Sequence, residues 1–198
     1  MHISEGILAL PVIMAGYTLT VAGVGIGLKR MKDRDVVKTA VFSAAFFIAS
    51  LIHVPVGLGN VHLILNGLLG LLLGPACFAA IFVALLLQGI LFQFGGLTSL
   101  GVNTFNMAMP ALFCYFLFVK LPQAKRLSLT VRGFLAGFVS VLLSAVLLSL
   151  ALSLSGEHFE ASAKLIFITH IPVMFVDGII TAIVLRFLEK TKPEIICE

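Results

Sequence analysis

The sequence predicts an all-α membrane protein with about seven transmembrane helices. Three observations predict it. Hydrophobic residues make up 60% of the 198 residues and charged residues only 11%, against roughly 45–50% and about 25% in a soluble domain. The apolar residues fall in uncharged runs, most of them close to the ~20 residues that a bilayer-crossing helix needs. The basic residues gather in alternate connections between those runs. With a mean hydropathy of +1.16, a soluble domain of this length would lack the interior volume to hide its apolar surface. A bilayer removes that limit.

The first run covers 7–28 and ends at the charged segment Lys29-Arg30-Met31-Lys32-Asp33-Arg34-Asp35, with Lys38 close behind. A second run covers about 39–54 and stops at Pro55; Gly57, Gly59 and Asn60 mark the stretch to Val61 as a loop. The third run, 62–74, closes on Gly74-Pro75, a helix stop. At 1.5 Å per residue it reaches only about 20 Å, too short to span alone. A short span beside an irregular Gly-rich segment points to a binding site in transporters. The fourth run is about 76–93, with a turn at Gly95-Gly96, and the fifth about 103–119. The sixth, 133–155, ends at the polar loop Gly156–Glu160, and the seventh is about 164–188.

The charges orient these runs. Lys29, Arg30, Lys32, Arg34 and Lys38 follow the first, Lys120, Lys125, Arg126 and Arg132 follow the fifth, and Arg186, Lys190 and Lys192 end the seventh. An external N-terminus puts all twelve in the cytoplasm and leaves only Lys164 of the thirteen outside, as the positive-inside rule requires. An even helix count would export the basic tail. The expected protein is therefore a multi-pass component of the plasma (cell inner) membrane with a cytoplasmic C-terminus. No internal repeat or linker divides residues 1–198, so one membrane domain is expected. The net charge of +4 is explained by topology, and its expected partner is the lipid bilayer, not nucleic acid. Gly23 with Gly27, Gly70 with Gly74 and Gly133 with Gly137 have the spacing of close helix packing. Cys77, Cys114 and Cys197 form no CxxC motif, so no zinc ribbon or redox pair is expected.

On this topology all five histidines, His2, His53, His62, His158 and His170, fall on the outer side. Histidine is the commonest metal ligand. His2 stands out because Met-His offers three adjacent nitrogen donors: the Met1 α-amine, the His2 amide and the His2 Nδ1. Amine and amide close a five-membered chelate ring, amide and Nδ1 a six-membered one. Three nitrogens then lie nearly in one plane and lack a fourth, for which His62 is the candidate. Tetragonal nitrogen sites favour Ni(II) or Cu(II). No cleavable signal is apparent, and a large second residue should protect Met1 from removal.

The opening Met1-His2-Ile3-Ser4-Glu5-Gly6-Ile7-Leu8 resembles that of the CbiM/NikM family. So do His53-Val54-Pro55-Val56-Gly57, then Val61-His62-Leu63-Ile64-Leu65-Asn66-Gly67 and Leu73-Gly74-Pro75. Further matches are Gln88, Phe92-Gln93-Phe94-Gly95-Gly96-Leu97-Thr98, Gly101-Val102-Asn103, Asn106-Met107-Ala108, and His170-Ile171-Pro172 with Asp177-Gly178-Ile179. Members of that family are the substrate-binding components of energy-coupling-factor transporters for nickel or cobalt. The resemblance implies seven helices and an N-terminus inserted into the fold. It implies a metal held by the Met1 amine, the His2 amide and imidazole, and His62. It also implies a partner energy-coupling transmembrane subunit, two ATPase subunits and a small accessory membrane subunit. Two positions depart from the family: Asp177 where Glu is common, and Phe94 where an acid is frequent.

No catalytic cofactor is expected; Ni(II) or Co(II) is the transported ligand. No HExxH, GxSxG or P-loop occurs, so an enzyme is not indicated, and any ATP is hydrolysed by a partner. The competing reading is a standalone proton-coupled cation carrier or channel using His170 and Asp177, since a carboxylate at mid-membrane is a functional hypothesis by default. His53, Asn103, Asn106, His170 and Asp177 are the candidates to support the metal from outside its ligand set. Asn103 and Asn106 are placed to hydrogen-bond the N-terminal segment.

Overall fold

Seven α-helices and one short hairpin order the chain in the computed structural model, which describes residues 2–56, 59–156 and 160–196. Helix α1 is Leu10–Arg30 and α2 Asp33–Ala49; β1 (His53–Val56) and β2 (Gly59–His62) pair antiparallel. Then follow α3 (Asn66–Leu73), α4 (Cys77–Phe92), α5 (Leu100–Tyr115), α6 (Leu129–Ser153) and α7 (Glu160–Thr191). The expectation of a purely helical chain is thus corrected in one place. The segment expected to be a loop after Pro55 carries a two-stranded ladder, with His53 opposite His62.

Several boundaries differ from the expected runs, and the first two show the local reasons. Helix α1 starts at Leu10 rather than at residue 7, with Pro11 in its first turn, where a missing N–H costs nothing. Helix α2 starts within the charged segment, because the Asp35 carboxylate accepts the Lys32 backbone N–H at 3.1 Å and caps the helix start.

Among the described residues, five stretches are long and apolar enough to cross a membrane: Leu10–Arg30, Asn66–Phe92, Leu100–Lys120, Leu129–Ser153 and Lys164–Thr191. The second is not one rod. Asn66 Nδ2 donates to the Met107 carbonyl at 2.9 Å, Gly70 lies against Ala111, and Gly74 lies against the Tyr115 ring, so α3 runs parallel to α5. Cys77, at the start of α4, then lies 3.8 Å from the Ala108 carbonyl. The chain has therefore turned back on itself. The reversal sits at Gly74, with φ +54° and ψ −133°, a conformation open to glycine and strained for other residues. Helix α3 is a half-length segment that begins deep in the bundle, as the short third run anticipates.

The connections carrying the basic residues share one end. Lys38 Nζ donates to the Ile195 carbonyl at 2.5 Å, Gly27 packs on the Pro75 carbonyl, and Lys120 sits 5.3 Å over the Tyr115 ring. At the opposite end, the Ala9 N–H donates to Ser155 Oγ at 3.1 Å and Tyr17 Oη donates to the Leu97 carbonyl. Between the ends, Phe46, Ile64, Leu69, Ile81, Met107, Val141 and Met174 form the core. Leu10, Met14, Val21, Ile168, Ile183 and Phe187 point outward, as lipid-facing side chains do. The glycine pairs serve packing within the chain: Gly133 abuts Ala182, and a Cβ on Gly137 would lie 2.6 Å from the Asp177 carbonyl.

Candidate metal centre

The N-terminal segment is built into the fold before α1 begins. Ile3 is buried, and both of its backbone groups are held by side chains from the start of α5. Its N–H donates to Asn103 Oδ1 at 3.0 Å. Its carbonyl accepts from Asn103 Nδ2 at 3.1 Å and Ser99 Oγ at 2.7 Å. Glu5 Oε1 accepts from the Thr98 N–H at 3.2 Å. The Ile3 side chain joins Leu8, Val102, Leu148, Ala151 and Leu152 in a small apolar cluster. These contacts pin the segment that carries His2 on both its polar and its apolar sides.

His2 and His62 come together although sixty positions separate them in the chain. Their ring centroids are 4.9 Å apart, inclined at 36°. His2 Nε2 lies 2.9 Å from Gln88 Oε1. The other face of the Gln88 amide is committed, since its Nε2 donates to Ser50 Oγ and, at 3.4 Å, to the Phe47 carbonyl. That network fixes which end of the amide is oxygen. An amide oxygen only accepts, so His2 Nε2 donates, and in the neutral ring Nδ1 then carries the lone pair. His62 is arranged the other way round. Its Nδ1 lies 2.9 Å from the Leu63 carbonyl, which also only accepts, so in the neutral ring Nε2 carries the lone pair.

Loop residues close over this pair. The Phe94 ring is 6.2 Å from His2 and stacks on Phe92 at 5.9 Å. Gly95 adopts φ +82°, and a Cβ there would come within 2.9 Å of Asn103 Nδ2 and 3.5 Å of His2 Cβ. Glycine is required for the backbone angle and leaves room for the close approach of the Asn103 amide.

The remaining candidates fall into place unevenly. Asn103 holds Ile3, as expected of it. Asn106 is buried beside it on α5, but among the described residues its Nδ2 has no partner, so the expected bond to the N-terminal segment is not formed by that atom. His170 is buried, with Nδ1 2.6 Å from the Ile166 carbonyl one turn earlier on its own helix. The Asp177 carboxylate accepts from the backbone N–H groups of Ile64, at 3.2 Å to one oxygen, and Leu65, at 3.1 Å to the other. His53 stands opposite His62 in the hairpin. Met1 and His158 lie outside the described residues. Among the described residues no three His, Cys, Asp or Glu side chains group as a metal cage.

Sequence reasoning did not assign Gln88, Ser99 or Ser50 to the site. Gln88 was the most visible of them: it is the one amide within the otherwise uncharged, apolar helix Cys77–Phe92, and it is fully buried.

The sequence pattern of the CbiM family, described as the cobalt uptake substrate-specific transmembrane region, matches residues 2–195. The chain belongs to the CbiM family. A Haemophilus influenzae protein assigned to metal transport is 45% identical over 198 residues, spanning 98% of this chain and 96% of its own length. A cobalt transport protein CbiM of Sorangium cellulosum is 32% identical, over 99% of this chain and 94% of that protein. A crystal structure of a truncated transition metal transporter superposes with a TM-score of 0.82 at 26% identity, covering 96% of this chain and 99% of that one. The relation to CbiM proteins therefore extends over the whole bundle, including the N-terminal segment from His2 onward.

Proposed function

We propose that this CbiM-family membrane component captures Ni(II) or Co(II) from outside the cell as the substrate for uptake. The donors are the Met1 α-amine, the His2 amide nitrogen, His2 Nδ1 and His62 Nε2. The observation that carries this reading is the complementary tautomers of two adjacent histidines. Gln88 engages Nε2 of one ring and the Leu63 carbonyl engages Nδ1 of the other, so each ring is oriented with the opposite nitrogen, His2 Nδ1 and His62 Nε2, as the donor that a His2 chelate and a fourth nitrogen need. Four nitrogen donors, three of them held near one plane by fused chelate rings, favour a tetragonal ion such as Ni(II). The cobalt transport assigned to the Sorangium cellulosum relative supports this class of cargo.

The gathering of the basic connections at one end supports a seven-helix topology with the histidine pair at the outer face and the C-terminus in the cytoplasm. Residues 1–198 act as one metal-binding membrane domain of the plasma membrane. The chain carries no nucleotide motif, so uphill uptake requires two ATPase subunits acting through an energy-coupling transmembrane subunit, with a small accessory membrane subunit. A standalone proton-coupled carrier gains no support from the side chains it would use. Asp177 is committed to two backbone N–H groups, and His170 is engaged with the carbonyl of its own helix.

The test compares nickel and cobalt binding, by elemental analysis and titration of the purified chain. Three forms are needed: the native chain, a form extended by one residue before Met1, and His2→Ala. Extension converts the amine to an amide and breaks the fused rings, so both altered forms should bind far more weakly. Equal binding by the extended chain would remove the amine from the ligand set.

A further inference from the structure

His62 is placed by a segment that helical geometry does not hold. Leu63, Ile64 and Leu65 join β2 to α3, and Leu65, at the start of α3, adopts φ +52°. A left-handed backbone is disfavoured for a branched, non-glycine residue. Leu65 also has no side-chain acceptor to offer the first N–H groups of α3, and it makes no cap bond. A helix start deep in an apolar bundle has no water to satisfy those groups. Within the first turn Asn66 Oδ1 accepts the Gly67 N–H at 3.1 Å; for the two N–H groups just ahead of the helix, Asp177, 112 positions from Leu65 along the chain, supplies the acceptor. It is fully buried, and its two oxygens take the Ile64 and Leu65 N–H groups at 3.1–3.4 Å. The neighbouring Leu63 carbonyl fixes the His62 ring through Nδ1.

We infer that Asp177 is a positioning residue for the transported metal. From α7 it caps α3 across the bundle, holds Leu65 left-handed, and through the Leu63 carbonyl aims His62 Nε2 at the metal. The inference rests on the proposed role of His62 as the fourth donor. It gives the intramembrane carboxylate a task that involves neither metal ligation nor proton transfer. It also accounts for a half-length helix with an irregular start beside the site: a full-length α3 would continue its own backbone bonds through residues 63–65 and leave the Leu63 carbonyl unavailable to the imidazole.

The experiment is a double-mutant cycle on Ni(II) affinity and on the visible absorption of the bound ion, using the full chain purified in detergent. Asp177→Asn keeps the side-chain shape but replaces one of the two acceptor oxygens with a donor. It should weaken Ni(II) binding about tenfold or more, within the 10–100-fold range for loss of a ligand-orienting partner, and move the absorption toward that of His62→Ala. In the His62→Ala background, where the three-donor chelate still binds, Asp177→Asn should change affinity by no more than about twofold, because residues acting through one another are not additive. Should Asp177→Asn fail to fold, Leu65→Val and Leu65→Gly address the same turn without altering the carboxylate. Valine, which resists φ > 0, should weaken binding; glycine should not. Equal losses from Asp177→Asn in both backgrounds, or equal affinity for the valine and glycine variants, would overturn the inference. If His62→Ala itself leaves binding unchanged, the failure lies in the ligand set and not in the role given to Asp177.

Discussion

Gln88→Met tests whether the His2 tautomer is set by the protein. The substitution keeps the length of a fully buried side chain and removes its acceptor. In the native chain the His2 Nε2–H···Gln88 Oε1 bond, at 2.9 Å, exists with or without metal, so most of its energy cancels from the affinity. What does not cancel is the change on binding. A metal on Nδ1 makes the Nε2–H more acidic, and the bond moves from the neutral class, about 0.5–1.5 kcal/mol net, towards the charge-assisted class, about 1.5–3 kcal/mol. The difference, about 1–1.5 kcal/mol, corresponds to roughly a tenfold loss of affinity. Without the acceptor the ring is also free to protonate Nδ1, the metal donor, which adds to the loss. The assay is competitive titration of Ni(II) against a chromogenic chelator in detergent, with His2→Ala as the reference for complete loss of the imidazole. Gln88→Met should fall between the native chain and His2→Ala. An affinity within about twofold of native, in a chain that elutes and melts as the native does, would show that the tautomer is not set by Gln88 and would undercut the donor assignment.

Asn103→Ala should release the N-terminal segment, because it strands the buried N–H of Ile3 at a cost of about 1–3 kcal/mol; metal affinity should fall and protease access to the first residues should rise, whereas unchanged values for both would show the segment is held otherwise. Metal binding should release protons and weaken as pH falls through about 6.5, since an ordinary imidazole titrates near 6.5 and an α-amine near 7.7–8.0, and both must be unprotonated to donate; pH-independent binding between 6 and 8 (roughly the interval spanning both groups) would exclude these donors. Cysteine introduced at position 33 should react only from the cytoplasm and at position 158 only from outside, and the opposite pattern would invert the topology. His62→Ala should weaken binding sharply while His158→Ala changes it little; equal effects would point to a nonspecific histidine-rich surface.

Much of the helical layout was legible because a bilayer leaves composition little freedom. The uncharged runs are interrupted by Lys29–Lys38, Gly74-Pro75, Gly95-Gly96, Lys120–Arg132 and Gly156–Glu160, and each interruption lies at or near an observed helix end. The charged residues from Asp33 to Lys38 were the exception. They read as a break in apolarity, yet Arg34 and Lys38 are good helix formers and Asp33 and Asp35 suit the first turn, where Asp35 caps the Lys32 N–H, so α2 extends through them. The hairpin was not legible, because Pro55, Gly57 and Gly59 signal a turn without distinguishing an open loop from one whose flanks pair.

The candidate site divides along the same physical line. His2 and the amide before it could be found from covalent geometry alone, because chelate rings depend on neighbouring atoms in one chain. Asn103 was within reach as a buried amide near a segment that needed partners. The roles of Gln88 and Asp177 were not, since both depend on which helices meet. Gln88 lies on α4, and its meaning comes from Ser50 at the end of α2 and from His2 ahead of α1. Asp177 could be read as a support for the metal or, in the competing reading, as a proton carrier, because a lone carboxylate in an apolar helix has no evident partner in sequence. Its partners are backbone N–H groups, which every sequence contains and none advertises. They become available because α3 begins only at Asn66, after the left-handed turn at Leu65. The sequence marks Asp177 and the short third run as unusual, but only the meeting of α7 with the start of α3 shows that they belong together.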